Sequence, residues 1–305
     1  MAQTRYAADR GLTARMLVTM FLLGLVYVVF VTVFFAISPQ FGTIALIFAL
    51  GFLAVQYFFS DKLALFAMHG KEVTPQQAPE LHGVIDRICA LSNTPKPRVA
   101  IADVDVPNAF ATGRNQKKAI VCVTTGLLRR LDPVELEGVL AHEMSHIAHR
   151  DVAVMTIASF LGIVAGLITR VGLEWGLWGG FRSREGDQNT GLILLTIVAV
   201  SALAYAISFL LTRALSRYRE LSADRAAALL TGRPSALSSA LVKVTGELAK
   251  IPTRDLRSAQ AFNAFFFTPA FGKGASIATL FATHPPLEKR LQQLSTISTQ
   301  LSRGA

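Results

Sequence analysis

Charge is what this 305-residue sequence has least of. Asp, Glu, Lys and Arg together make up 16% of it, against 52% hydrophobic residues, and the mean hydropathy is +0.44. That balance excludes an ordinary soluble domain and points to an integral membrane protein. Cysteine is equally scarce. Cys89 and Cys122 are the only two and form no C-x-x-C pair, which excludes a disulfide framework and a thiolate zinc site. They read as small buried residues in a reducing compartment. Acidic residues are outnumbered, leaving a net charge of +10. The basic residues make no stripe interleaved with aromatics, which argues against nucleic acid as a partner. They flank apolar runs instead, as suits an anionic membrane surface. Those runs contain almost no ionisable residues, which argues against a transporter.

The apolar runs set the organisation. Arg5, Arg10 and Arg15 precede a first run, Met16 to about Ile37, roughly 22 residues long and too long for the core of a signal peptide. After a turn at Ser38-Pro39-Gln40, a second run extends from about Phe41 to Ser60. Asp61, Lys62, His69 and Lys71 follow, so both ends of this hairpin (1–60) are expected on the cytoplasmic side. Residues 61–151 are polar enough to be soluble. Helical spacing of Leu81, Val84, Ile85, Ile88 and Leu91 predicts a helix over 75–92, and 99–101 and 119–123 read as short strands. Between the strands, Asn108-Ala109-Phe110-Ala111-Thr112-Gly113 resembles a hairpin. It is either an exposed strand able to pair with an extended peptide or a plain turn with Phe110 in the core. A second hairpin is expected over 152–212. Its third run, 152–168, is near the lower length limit for a span, and its loop at about 173–190 is expected to be extracytoplasmic. Residues 213–305 read as soluble and helical. A Phe- and Gly-rich stretch at 265–274 is read as a lid, a membrane-dipping loop or core.

The chemistry lies in Ala141-His142-Glu143-Met144-Ser145-His146. Two histidines four apart share one face of a helix, and a glutamate follows the first: the H-E-x-x-H pattern. Both imidazoles can reach one zinc ion. Glu143, about 100° round the helix, is a poor ligand but is placed to act as a general base on a water whose pKa the metal lowers. Asp132-Pro133-Val134-Glu135 supplies an N-cap, a first-turn proline and a capping-box acid, and Leu136, Val139, Leu140 and Ile147 give a buried face.

Two histidines need a third ligand, and topology selects it. The fourth run ends at Arg213, Arg217 and Arg219, on the side of the membrane that the third run left beside His146. The first acid there is Glu220, with Asp224 on the same helical face. Glu220 would complete one zinc site per chain with an open fourth position. Asp224 is placed to hold the outer nitrogen of a ligand histidine; otherwise the two acids are a solvated surface pair. Glu174 and Glu185 fall across the membrane, and His149 would require three ligands from one helix. The extended metzincin pattern fails at His149 and Val152. The charged turn Arg129-Arg130-Leu131-Asp132 argues against a motif inside a span. His284, stiffened by Pro285 and Pro286, is either a helix-cap residue or an oxyanion partner.

Taken in order, Asn108 to Gly113, His142-Glu143-x-x-His146, Glu220-x-x-x-Asp224 and His284-Pro285-Pro286 resemble the HtpX-like membrane zinc metalloproteases over nearly the whole chain. The resemblance implies a mainly α membrane protein: four transmembrane helices in two hairpins, with a cytoplasmic gluzincin-type α+β zinc protease domain. It implies zinc on His142, His146 and Glu220, substrate binding by Asn108, and a transition-state role for His284. The implied activity is cleavage of misfolded or damaged membrane proteins at the bacterial inner membrane, with both termini cytoplasmic. The expected partners are the lipid bilayer and unfolded or membrane polypeptides, and a homo-oligomer is compatible with this reading. The alternatives are a zinc-containing membrane adaptor without proteolysis and a prenyl-protein (CAAX)-type endoprotease, which has more spans.

Overall fold

The computed structural model describes residues 10–37, 39–175, 188–250 and 284–304. The expected loop at 173–190 and the Phe-rich stretch at 265–274 fall largely or wholly outside the described residues. The chain divides into two compact units. One comprises Met1–Leu12, Phe58–Ala153 and Ser216–Ala305; the other comprises Thr13–Tyr57 and Val154–Leu215.

The second unit is built from long apolar helices, α1 (Arg10–Ile37), α2 (Pro39–Ala67), α6 (Asp151–Trp175) and α7 (Gln188–Thr231), each of which also contributes residues to the first unit. Among the described residues three helices carry stretches long and apolar enough to cross a membrane: Thr13–Val33, Val154–Glu174 and Gly191–Thr231. The third apolar run is therefore longer than its composition suggested. The helix continues through Thr169 and Arg170, and its Arg170–Glu174 ion pair lies at the far end. The expected second run forms the 29-residue helix α2. Small residues set the spacing of α6 and α7. A Cβ on Gly166 would lie 3.0 Å from the Tyr205 ring, so this glycine admits a close approach. At 44 residues, α7 is about 66 Å long, roughly twice the hydrocarbon thickness of a bilayer. Its apolar part ends before Arg213, and the rest carries Glu220 and Asp224.

The first unit is α+β. A four-stranded sheet has the order β1 (Gly70–Glu72), β2 (Arg98–Ala102), β4 (Ile120–Thr124), β3 (Ala109–Thr112). β2 and β4 are parallel; the two outer pairings are antiparallel, with Phe110 opposite Cys122. The period-2 alternation of β4 divides its side chains between two cores. Val121 and Val123 face α3 (Pro79–Ser92) and α5 (Pro133–Ala148), while Ile120 and Cys122 pack with Phe110 against Ala64 and Met68 at the end of α2. The expected strands and hairpin are present. β1 was not foreseen, because three residues reading Gly-Lys-Glu carry no strand signal. The helix expected from residue 75 begins at Pro79, since 74–78 form a hydrogen-bonded turn. Cys122 is buried and its thiol is pushed up to about 12 by that burial, so it is inert packing.

α5 lies at the centre of this unit. Asp132 caps it, accepting from the Val134 and Glu135 amides at 3.0 and 2.9 Å, and Glu135 returns the capping-box bond to the Asp132 amide at 3.1 Å. Glu135 also accepts from Ser239 and Lys243 of α8 (Pro234–Lys250), each at 2.6 Å. α4 (Thr125–Arg130) leads into α5, and α9 (Leu287–Gly304) contributes Leu294 and Ile297 to the same core. Where α5 meets α8, a Cβ on Gly138 would stand 3.3 Å from the Leu237 backbone. Gly138→Val is therefore expected to force the two helices apart and destabilise the unit by about 1–3 kcal/mol. A lowered thermal unfolding midpoint in detergent, with the four-residue-distant His142 unaltered in sequence, is the measurement that checks it.

Candidate metal centre

α5 presents His142 and His146 one turn apart, and both are buried. Their Nε2 atoms face each other at 3.2 Å. α7 brings Glu220 to the same point. Its Oε2 lies 3.5 Å from His142 Nε2, and its Oε1 lies 3.5 Å from His146 Nε2. Donor atoms bound at tetrahedral zinc, with Zn–N near 2.0–2.1 Å, sit about 3.3 Å apart along each edge, so the spacing suits one ion. The three residues form the one such group among the described residues.

Charge tests the same fit independently. The buried carboxylates here are Glu143, Asp151, Glu220 and Asp224, and the buried guanidiniums are Arg219 and Arg290. Among the described residues, four buried carboxylates against two buried guanidiniums leave an excess of two acids, which suits a divalent cation. Burying such an excess is costly unless something positive answers it. Without a metal the protein answers with protons. Burial alone would push the His142 imidazolium down, but Asp224 and Glu220 outweigh it and lift it to about 9. Burial raises the Glu143 carboxyl too, against the pull of His142 and His146.

The surrounding groups hold the donors in place. His142 Nδ1 lies 2.9 Å from Asp224 Oδ1, and Asp224 is gripped by Arg290 of α9 through two bonds of 2.7 and 2.6 Å. His146 Nδ1 meets Asp151 Oδ2 at 2.6 Å. His284 Nδ1 donates to Glu220 Oε2 at 2.9 Å, so the structure puts this histidine on the third ligand. Glu143 Oε2 accepts from the Ala111 amide of β3 at 2.9 Å. Asn108 is fully buried and leads into β3. Its amide donates to Thr124 Oγ1 and its carbonyl accepts from the Thr124 amide, which fixes the strand next to Glu143.

His142, Glu143, His146, Glu220, Asp224 and His284 are thus brought together as the sequence reading grouped them, and Asn108 enters the strand that touches Glu143. Asp151, Arg219 and Arg290 were missed. Asp151 read as a spacer before an apolar run, and Arg219 as a membrane-flanking charge. Arg290 lies 66 residues beyond its partner and carries no local signal.

The Peptidase family M48 pattern matches residues 75–298, which includes every one of these side chains. The chain belongs to peptidase family M48. The Protease HtpX homolog 1 of Streptomyces coelicolor is 62% identical over 302 residues, covering 99% of this chain and 98% of its own length. The Protease HtpX homolog of Moorella thermoacetica is 50% identical, covering 96% and 97%, and that of Pyrococcus furiosus 41%, covering 80% and 82%. Among solved structures, the crystal structure of S. mikatae Ste24p shares the fold with a TM-score of 0.53 at 18% identity, over 94% of this chain and 67% of that one. This M48 chain is accordingly a membrane metalloprotease.

Two outcomes follow for the centre. A metal ligand must be a neutral imidazole, so binding near neutral pH must expel the His142 proton. Metal affinity is expected to rise about tenfold per pH unit up to about pH 9 and then flatten. Calorimetry in buffers of different ionisation enthalpy, which counts the protons released, checks it. In the metal-free protein the sign is opposite. The raised His142 value stabilises the fold fully below about 6.5, and this contribution is lost as pH rises through about 9. Second, Arg290→Met removes the guanidinium from the buried Asp224 and leaves it His142 alone as a neighbour, and a loss of about 3–5 kcal/mol is expected in chemical denaturation of the solubilised protein.

Proposed function

We propose that this chain is a zinc endopeptidase of the bacterial inner membrane, with four spans in two hairpins, both termini in the cytoplasm and a gluzincin-type site facing it. Its proposed substrates are misfolded or damaged membrane proteins, cut at their cytoplasmic parts. The observation that carries the reading is the convergence of His142, His146 and Glu220 with Glu143 buried beside them. Three ligands plus an adjacent carboxylate suit a catalytic site, whereas a structural zinc is usually closed by four protein ligands. That contrast also weighs against the non-proteolytic adaptor.

When bound, the ion supplies a Lewis acid for the peptide carbonyl and a lowered pKa for water at the centre. The protein's own groups do the rest. His142, His146 and Glu220 hold the ion, and Asp224 keeps His142 oriented toward it. Glu143 takes a proton from the attacking water and later hands it to the leaving amine. β3 lies at the sheet edge, where an extended substrate can add as a further antiparallel strand. Asn108 at its start then helps hold the substrate backbone, and His284 acts beside Glu220 at the transition state.

Glu143→Gln tests the reading directly. The variant is expected to hold as much zinc as the wild type and to lose at least about 10²–10⁴-fold in cleavage of an unfolded test protein. Equal zinc with no cleavage by either protein would favour the adaptor. Reporter fusions test the topology: fusions near the first and last residues should report cytoplasm, and a fusion within the proposed extracytoplasmic segment at about 173–190 the opposite side. A periplasmic signal after α9 would remove Glu220 from the side of His142.

A further inference from the structure

The sequence offers Asp224 as the group behind one ligand histidine, which in the structure is His142, and offers nothing comparable for the other, His146. We propose that Asp151, with Arg219 behind it, is the positioning residue of His146 and sets how tightly the centre holds its metal. This rests on the reading of His146 as a ligand.

The geometry is direct. His146 Nδ1 and Asp151 Oδ2 are 2.6 Å apart, and both groups are buried. Arg219 Nε lies 3.1 Å from the same carboxylate oxygen, and Arg219 Nη2 lies 3.5 Å from His146 Nδ1. A histidine that gives its Nδ1–H to a carboxylate carries its lone pair on Nε2, the atom that faces His142 and Glu220. Asp151 therefore fixes both the tautomer and the plane of the ring. Arg219 keeps the carboxylate charged and in place, immediately before Glu220 in the chain.

The path that delivers Asp151 points the same way. Had α5 continued, residue 151 would sit about 140° round the helix from His146 and about 7.5 Å further along it, out of reach. Instead α5 ends at Ala148. The His149 amide bonds to Ser145 O at 2.9 Å, and Arg150 takes φ 57°, a left-handed conformation that is strained for a non-glycine residue. That one reversal returns Asp151 to the histidine five residues before it. The carboxylate is not occupied in capping α6, which it begins: Oδ1 has no hydrogen-bond partner among the described residues, and Oδ2 is given to His146 and Arg219. A strained turn whose product is a contact on a ligand is the pattern expected at a functional site.

The test uses the full chain in detergent, stripped of metal and titrated with zinc or cobalt against a chromophoric chelator. Asp151→Asn keeps the size and loses the charge. It is expected to bind metal about 10–100-fold more weakly than wild type and to alter the visible spectrum of the cobalt form, a change that a merely structural role would not produce. Arg150→Gly relieves the turn and should leave affinity within about threefold. Asp151→Asn binding as tightly as wild type overturns this inference alone. A wild type that takes up no metal overturns the reading of the centre and this inference with it. If Asp151→Asn does not fold, Arg219→Lys serves in its place. It retains the charge but shortens the reach to Asp151, so a severalfold loss of affinity supports the arrangement and an unchanged affinity overturns it.

Discussion

The centre is organised by an excess of buried negative charge. Glu143, Asp151, Glu220 and Asp224 are withdrawn from water in one place, with only Arg219 and Arg290 as permanent cations beside them. A fold of ordinary stability does not carry such an imbalance unanswered. Histidine protons answer it in part, and a divalent ion answers it in full. The remaining features follow from this requirement: guanidiniums at the outer acids and imidazoles at the inner ones, on a helix that packs into the apolar core shared by α3, α8, α9 and the sheet.

Local rules account for much of how the site is built. Capping-box chemistry starts α5 at a defined residue, and that start fixes where His142 and His146 emerge. Alternation along β4 places Val121 and Val123 under α5, and β3 then runs at the edge with the Ala111 amide directed at Glu143. The base is thus held between a helix and a strand that the same stretch of sequence specifies. Its partner ligand comes from α7, in the part of that helix beyond its apolar half.

That division explains what could be read in the sequence. The H-E-x-x-H helix, its cap, the strands around 99–123 and the apolar runs are periodic or local patterns, and each was legible. Glu220 was reachable because the expectation that the third and fourth runs leave and return to one side of a membrane restricts where the third ligand can be. Asp151 was not legible, since its role depends on one left-handed residue, Arg150, that no pattern announces. Arg290 was not legible either, because its contact with Asp224 is purely tertiary. β1 was missed for a simpler reason: three residues paired with Gly70 opposite Ala102 are an edge that β2 recruits, with no preference of their own.

The 66-residue separation of Asp224 and Arg290 has a consequence for biosynthesis. A nascent chain that has produced His142, His146 and Glu220 already contains all three metal donors, yet it still lacks the guanidinium that makes Asp224 tolerable in the interior. The order of synthesis therefore withholds a completed centre until the last helix has joined the core. On this plan the centre gains its last buried partner only when α9 brings Arg290 to Asp224.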